Sequence, residues 1–141
     1  MTMNYNDFMV FLLRSPLHRL FSKGTMLVTV TGRKTGKKIT LPVSFDEVDG
    51  ALWVMSRRDR TWWRNLQNGA EATLRLRGQD VRASAELLLD EAEVLARLDD
   101  YLGRYPRLAR YLNVSYKDET LKAEDLAREA KNRIFVRFDV K

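Results

Sequence analysis

Two short stretches of this 141-residue chain concentrate the side chains that could do chemistry. The first is residues 31–38 (TGRKTGKK), where Arg33, Lys34, Lys37 and Lys38 stand among the hydroxyls of Thr31 and Thr35 and two glycines, Gly32 and Gly36. Glycine admits positive φ, and a turn built that way can face its backbone N–H groups outward. With four cations added, this is the chemistry of holding a phosphate or another anion. It is not a Walker A loop, because the GKT order and a following helix are missing. The second stretch is residues 55–66 (MSRRDRTWWRNL), in which a strand ends at Ser56 and Arg57, Arg58, Arg60 and Arg64, two indoles and Asn65 follow. Indoles offer flat faces to a ring system, and an Asn amide can hold a loop in place. In the alternative structural reading, Trp62 and Trp63 anchor a helix on the core and the arginines are solvated.

Composition narrows the chemistry further. The chain has no cysteine and a single histidine, His18. Disulfides, thiolate metal sites and a Cys nucleophile are excluded, and so is a site built on several histidines. The chemistry is therefore expected to come from a bound group, with the protein supplying position and charge. The formal net charge of +6 is unevenly spread: residues 1–24 carry +2, residues 25–82 carry +5 and residues 83–141 carry −1. The excess falls on the two stretches above, which points to a localised anion site more than to general polycation behaviour.

The elements that must position these residues follow from hydrophobic period and turn chemistry. Residues 4–22 place Phe8, Phe11, Leu12, Leu17 and Leu20 near helical spacing, with Pro16 opening a second short helix. Residues 26–31 (MLVTVT) read as a strand, and residues 37–45 as a second one with Ile39, Leu41, Val43 and Phe45 on one face. Pro42 makes that second strand an edge or a bulge. Asp49-Gly50 is a hairpin turn into residues 51–56. A short helix carries Trp62, Trp63 and Leu66, capped by Thr61 or Asp59 and ended by Gly69. Residues 71–78 alternate as a half-buried strand, and Gly78-Gln79-Asp80 turns it into residues 81–89.

From Asp90 the period becomes helical. Asp90 with Glu93 forms a capping box, Pro106 opens another helix, and residues 120–131 make a third. Residues 133–140 (RIFVRFDV) return as a closing strand. The expected fold class is α+β: a split β-barrel of about six mainly antiparallel strands with flanking helices, since closure removes exposed edges. All 141 residues form one domain in this reading. Residues 1–24 are an N-terminal helical segment, 25–90 the barrel strands, 91–131 a helical segment and 132–141 the closing strand.

The order TGRKTGK, a strand with Pro42-Val43, a hairpin through Asp49-Gly50, a strand ending at Ser56, and Trp62-Trp63-x-Asn65-Leu66 resembles the deazaflavin-dependent nitroreductase family. The likeness covers about residues 25–90. It implies a split barrel related to the FMN-binding ones, and an oxidoreductase whose reduced deazaflavin coenzyme (coenzyme F-420) passes a hydride to a quinone, nitroaromatic or related acceptor. By the same likeness Arg33, Lys34, Thr35, Gly36 and Lys37 lie by the coenzyme's phosphate and acidic tail, and Thr40 and Pro42 flank its ring system. Met55 and Ser56 offer hydrogen bonds near the flavin head, Arg57 and Arg60 add charge, and Trp62, Trp63 and Asn65 match the family's aromatic–aromatic–x–Asn–Leu segment. No catalytic residue is singled out beyond positioning by Ser56, and no metal is expected. The chain departs from the family pattern at Ile39 and at the short cationic residues 57–61.

Two other readings stand beside this one: an FMN-dependent split-barrel oxidoreductase, and a non-catalytic module that binds a flavin or another anionic ligand. A nucleic-acid partner is not expected, because the cations interrupt strands at turns and form no continuous stripe. The expected partners are a small-molecule electron acceptor and a second copy in a homodimer, with the N-terminal segment able to make peripheral membrane contact. No window suits a bilayer span or a secretory signal, which makes the cytoplasm the default location.

Overall fold

The computed structural model describes residues 24–141, so the expected N-terminal helices, with Pro16 and His18, lie outside the described residues. The chain divides into two compact units. One comprises residues up to 55 with 61–87 and 136–141, the other residues 56–60 and 88–135.

The strands are β1 (Thr25–Thr31), β2 (Lys38–Ser44), β3 (Asp46–Val48), β4 (Ala51–Arg57), β5 (Glu71–Leu76), β6 (Gln79–Leu88), β7 (Tyr116–Lys117), β8 (Thr120–Leu121) and β9 (Arg133–Val140). The first unit is built on a seven-stranded sheet in the order β2-β1-β5-β6-β9-β4-β3. Its two edges, β2 and β3, are separated in the chain by Phe45 alone. A flat sheet of this size would hold its edges roughly 29 Å apart, at about 4.8 Å per strand, whereas one residue reaches about 3.5 Å. The sheet must curl until its edges meet, which is the expected barrel. The Phe45 N–H donates to the Gly24 carbonyl at 3.0 Å, so the corner residue is itself tied down.

Sequence alternation explains which face is the core. Met26, Val28 and Val30 of β1 are at most 1% exposed. Val28 stands opposite Leu41 on one side and Leu74 on the other, while Thr29 stands opposite Thr40 and Thr73. Met26, Val28 and Val30 thus share one face, and the threonines share the other with the buried Leu27. Pro42 sits in edge strand β2 opposite Leu27, where its missing N–H costs no ladder bond. Asp49-Gly50 makes the expected hairpin with both residues at positive φ, which matches the twist of the flanking strands.

The main sheet has seven strands against the expected about six, since the chain bends at Phe45 and continues as β3 before the Asp49-Gly50 turn. Two expectations need correction. The turn between β5 and β6 is Arg77-Gly78, both at positive φ, and Gln79 and Asp80 already pair with Leu76 and Arg75. Finally, Thr120 and Leu121 do not begin a helix. They pair with Lys117 and Tyr116 across Asp118 at positive φ, and the helix starts at Ala123.

The second unit holds helices α1 (Glu91–Arg104), α2 (Pro106–Tyr111) and α3 (Ala123–Asn132), with the β7–β8 hairpin between α2 and α3. Asp90 caps α1 by accepting the Glu93 N–H at 3.1 Å, and Val94, Leu98 and Leu102 bury one stripe of it. Pro106 opens α2 at its first turn, where proline loses no helical hydrogen bond. The Tyr101 ring meets Phe135 edge-on at 6.3 Å, and Leu126 and Ala130 are the buried residues of α3.

Candidate functional site

The turn between β1 and β2 is closed by its own backbone. Gly32 N–H donates to the Lys37 carbonyl at 2.8 Å, Gly36 N–H to the Gly32 carbonyl at 2.9 Å, and Lys37 N–H to Thr35 Oγ1 at 3.3 Å. A Cβ at Gly32 would lie 3.1 Å from Thr35 Oγ1 and 3.3 Å from the Lys37 carbonyl, and Gly36 has φ +71°. One glycine serves close approach and the other a left-handed backbone. Among the described residues, the N–H groups of Lys34 and Thr35 have no partner, so the turn offers these two at its tip.

The turn is tied to the aromatic segment. Residues 62–69 form a 3₁₀ helix broken at Gln67 (ψ 156°) and Asn68 (φ 62°). The Asn65 side chain accepts the Arg33 N–H at 3.0 Å through Oδ1 and donates to the Trp62 carbonyl at 3.1 Å through Nδ2. Asn65 holds the turn against the start of the 3₁₀ segment, so two motifs 30 residues apart meet on one amide. A second link was missed in the sequence: Arg33 Nη1 donates to Gln67 Oε1 at 2.9 Å. The signal for it was Asn68-Gly69, a helix stop that frees the side chain before it. The expected cap is absent, because Thr61 makes no side-chain cap bond and Asp59 pairs with Arg57 at 2.8 Å.

Trp62 and Trp63 are both buried, at 9% and 3% exposure, together with Leu66. The guanidinium of Arg64 lies 4.7 Å from the centre of the Trp63 ring, in cation–π contact. Thr40 hydrogen-bonds Thr29 across the strands at 2.8 Å, and Pro42 and Met55 are half-buried.

Charge compensation distinguishes the turn from the arginines held on carboxylates. Arg57, Arg75, Arg77, Arg82, Arg104, Arg128, Arg133 and Arg137 each lie within 3.4 Å of a carboxylate. No carboxylate among the described residues pairs with Arg33, Lys34, Lys37 or Lys38, all of them exposed. Both carboxyls with a distinctly shifted acidity belong to the paired remainder. The Lys141 ammonium, with Arg82, holds Glu71 below the usual carboxylate range. The Ser115 N–H, with Arg128, does the same for Asp125.

Ser56, Arg57 and Arg60 fall in the second unit. Ser56 is 8% exposed and its hydroxyl donates to the Arg57 carbonyl at 3.4 Å. The Arg60 N–H donates to that same carbonyl at 3.2 Å. Between them Arg58 has a structural use. Its guanidinium donates to the carbonyls of Leu89 (2.9 Å), Arg133 (3.0 Å), Lys131 (3.1 Å) and Ala130 (3.5 Å), and its N–H to that of Asn132 (2.8 Å). It caps the C-terminal carbonyls of α3, which have no helical partners of their own. The second unit also contains an open cavity of about 570 Å³ beside Leu95, Asp99, Tyr116, Glu119 and Leu126, and none of the expected site residues lines it. No group of three or more His, Cys, Asp or Glu is placed to hold a metal among the described residues, and no helix there is long and apolar enough to cross a membrane.

Comparison with known proteins adds the family. Among curated proteins none matches the chain. A solved F420-H2 dependent reductase is similar at 21% identity and TM-score 0.50, over 84% of this chain and 95% of that one. The general stress FMN/FAD binding protein of Xanthomonas citri is similar at 18% identity and TM-score 0.50, over 86% and 78%. A structure described as a domain-swapped dimer is similar at 19% identity and TM-score 0.50, over 94% and 98%. At these identities the likenesses speak for the fold, a split barrel. The family is carried by the sequence model for F420H(2)-dependent quinone reductase, which matches residues 15–127 and so spans the basic turn, the aromatic segment and most of the helical unit. The chain belongs to that family and is a deazaflavin-dependent oxidoreductase.

Proposed function

We propose that the chain binds the anionic part of coenzyme F-420 at the turn of residues 31–38 and uses the reduced coenzyme to reduce a small quinone, nitroaromatic or related acceptor. The observation that carries the placement is the charge of Arg33, Lys34, Lys37 and Lys38, which no carboxylate among the described residues pairs, whereas eight other arginines each have one. Cations that no described carboxylate pairs attract an anion without first breaking such a pair. The unpartnered N–H groups of Lys34 and Thr35 add directional donors at the tip. The residues present therefore fit a phosphate-bearing coenzyme.

When bound, the reduced deazaflavin supplies the hydride. The chain's residues bind and orient it. Arg33, Lys34 and Lys37 hold its charge, Thr35 and Gly36 keep the turn in shape, and Asn65 fixes the turn to the segment of Trp62 and Trp63. Thr40 and Pro42, on the neighbouring edge strand, flank the ring system in this reading. Met55 orients its head in this reading, and Ser56, Arg57 and Arg60, which fall in the second unit, are left out of it, Arg57 being already paired with Asp59. Family membership favours coenzyme F-420 over FMN. The described dimer among the similar structures supports a homodimer here, which light scattering on the eluting protein tests. The cytoplasm remains the proposed location.

The test of the site is an anaerobic titration of the protein with the coenzyme, and separately with FMN, followed by tryptophan fluorescence. Micromolar binding of the coenzyme that weakens in Arg33→Ala/Lys34→Ala supports the placement. Unchanged affinity in that double variant removes it. Acceptor screening with quinones and nitroaromatics then reads the second half of the reaction.

A further inference from the structure

The neutral partner of Arg33 carries a consequence for the same site. We infer that Gln67 is a positioning residue: it holds the Arg33 guanidinium over the basic turn through a neutral acceptor, so the arginine is oriented yet keeps its whole charge for the ligand. The inference rests on the reading that this turn receives the coenzyme's anionic part.

The geometry gives Arg33 two fixed points. Its backbone N–H is held by Asn65 Oδ1 at 3.0 Å and its Nη1 by Gln67 Oε1 at 2.9 Å. Both acceptors come from the one 3₁₀ segment, and both are amides. Other arginines are held on carboxylates, as with Arg77 on Glu47 and Arg128 on Asp125, or, for Arg58, on the carbonyls it caps. A carboxylate cancels most of the guanidinium's field at a distance, whereas an amide leaves it. One Nη1 hydrogen is spent on Gln67, and a guanidinium has five donors, so a fork remains for a phosphate or carboxylate. The backbone leaves the helix at Gln67, whose ψ is 156°.

The same argument predicts opposite responses of stability and binding to a single atom. Gln67→Glu keeps the acceptor and adds a salt bridge, so the thermal midpoint holds or rises. Coenzyme affinity falls about 10-fold or more, and its salt dependence flattens, because one cation is neutralised. Gln67→Met removes the acceptor and leaves the charge, weakening binding only about 3-fold. A merely structural residue would move stability and binding together.

The experiment titrates the coenzyme into the full chain and into Gln67→Glu, Gln67→Met, Arg33→Met and the Arg33→Met/Gln67→Met double variant, at two salt concentrations, with a thermal melt of each. Expected are the order above and no further loss from Gln67→Met once Arg33 is gone. The Arg33 guanidinium should rotate slowly by nitrogen NMR in the parent and fast in Gln67→Met. If Arg33→Met weakens binding while both Gln67 variants bind like the parent, the inference falls and the proposed site stands. If Arg33→Met itself leaves binding unchanged, the proposed site falls and takes the inference with it.

Discussion

Residues 33–38 and residues 57–64 look alike on paper, since each packs four cations into a few positions. In the folded chain they do opposite things. The first group pairs with no carboxylate among the described residues and stays exposed, with Arg33 steered by two amides. The second is largely consumed: Arg57 on Asp59, Arg58 on the carbonyls that end α3, and Arg64 on the Trp63 ring. Cation count therefore says little about a site. What decides is whether an acceptor stands close enough to use the charge first.

The largest expected effect breaks the consumed cluster. Arg58→Ala leaves the terminal carbonyls of α3 without their donor and should cost about 2–4 kcal/mol, since hydrogen bonds from charged groups are the stronger kind. A thermal midpoint lowered by roughly 10 °C is the matching readout, and a change of a degree or less would place Arg58 with the idle surface cations. Next comes the free cluster, with the reverse signature. Arg33→Ala/Lys34→Ala should raise the coenzyme's dissociation constant roughly 30-fold while moving stability by only about 0.5 kcal/mol. Equal losses in both quantities would erase the contrast.

A smaller effect tests the turn's shape and not its charge. Gly32→Ala forces a methyl to 3.1 Å from Thr35 Oγ1, and should cost about 1 kcal/mol together with several-fold weaker binding. Circular dichroism melts and the same titration check it. Smallest is a pH effect confined to the paired remainder. Asp125 is held below the usual carboxylate range by the Ser115 N–H and then Arg128, so its folded-state pKa is depressed. Its contribution is full above the unfolded carboxylate pKa and is lost as pH falls through the folded one. The melting midpoint should decline below about pH 4, and less so in Asp125→Asn. A parallel decline in that variant assigns the acid sensitivity to other carboxyls.

Local chemistry made much of the fold legible. The Asp90 cap, Pro106 at a helix start, the Asp49-Gly50 turn and the alternation of β5 each depend on neighbours a few residues away, so a sequence displays them directly. The failures share a different cause. Asp59 could cap a helix or pair with Arg57, and only the folded backbone chooses. Residues 120–121 have helical neighbours but are captured by Tyr116 and Lys117. At the site, Asn65 was legible as a loop holder because an aromatic–aromatic–x–Asn–Leu segment is specific. Gln67 was not, because a lone amide in a polar loop resembles any other until its partner 34 residues away is seen.

Phe45 has a dynamic corollary. Edge strands of an open sheet fray separately, and their amides exchange with solvent early and independently. Here the two edges are consecutive segments of backbone on either side of one residue, and that residue is anchored to Gly24. Peeling β2 outward drags β3 with it, so the outermost strands share one opening event. Their deuterium uptake should rise in step, and the seam of the barrel behaves as a single cooperative hinge.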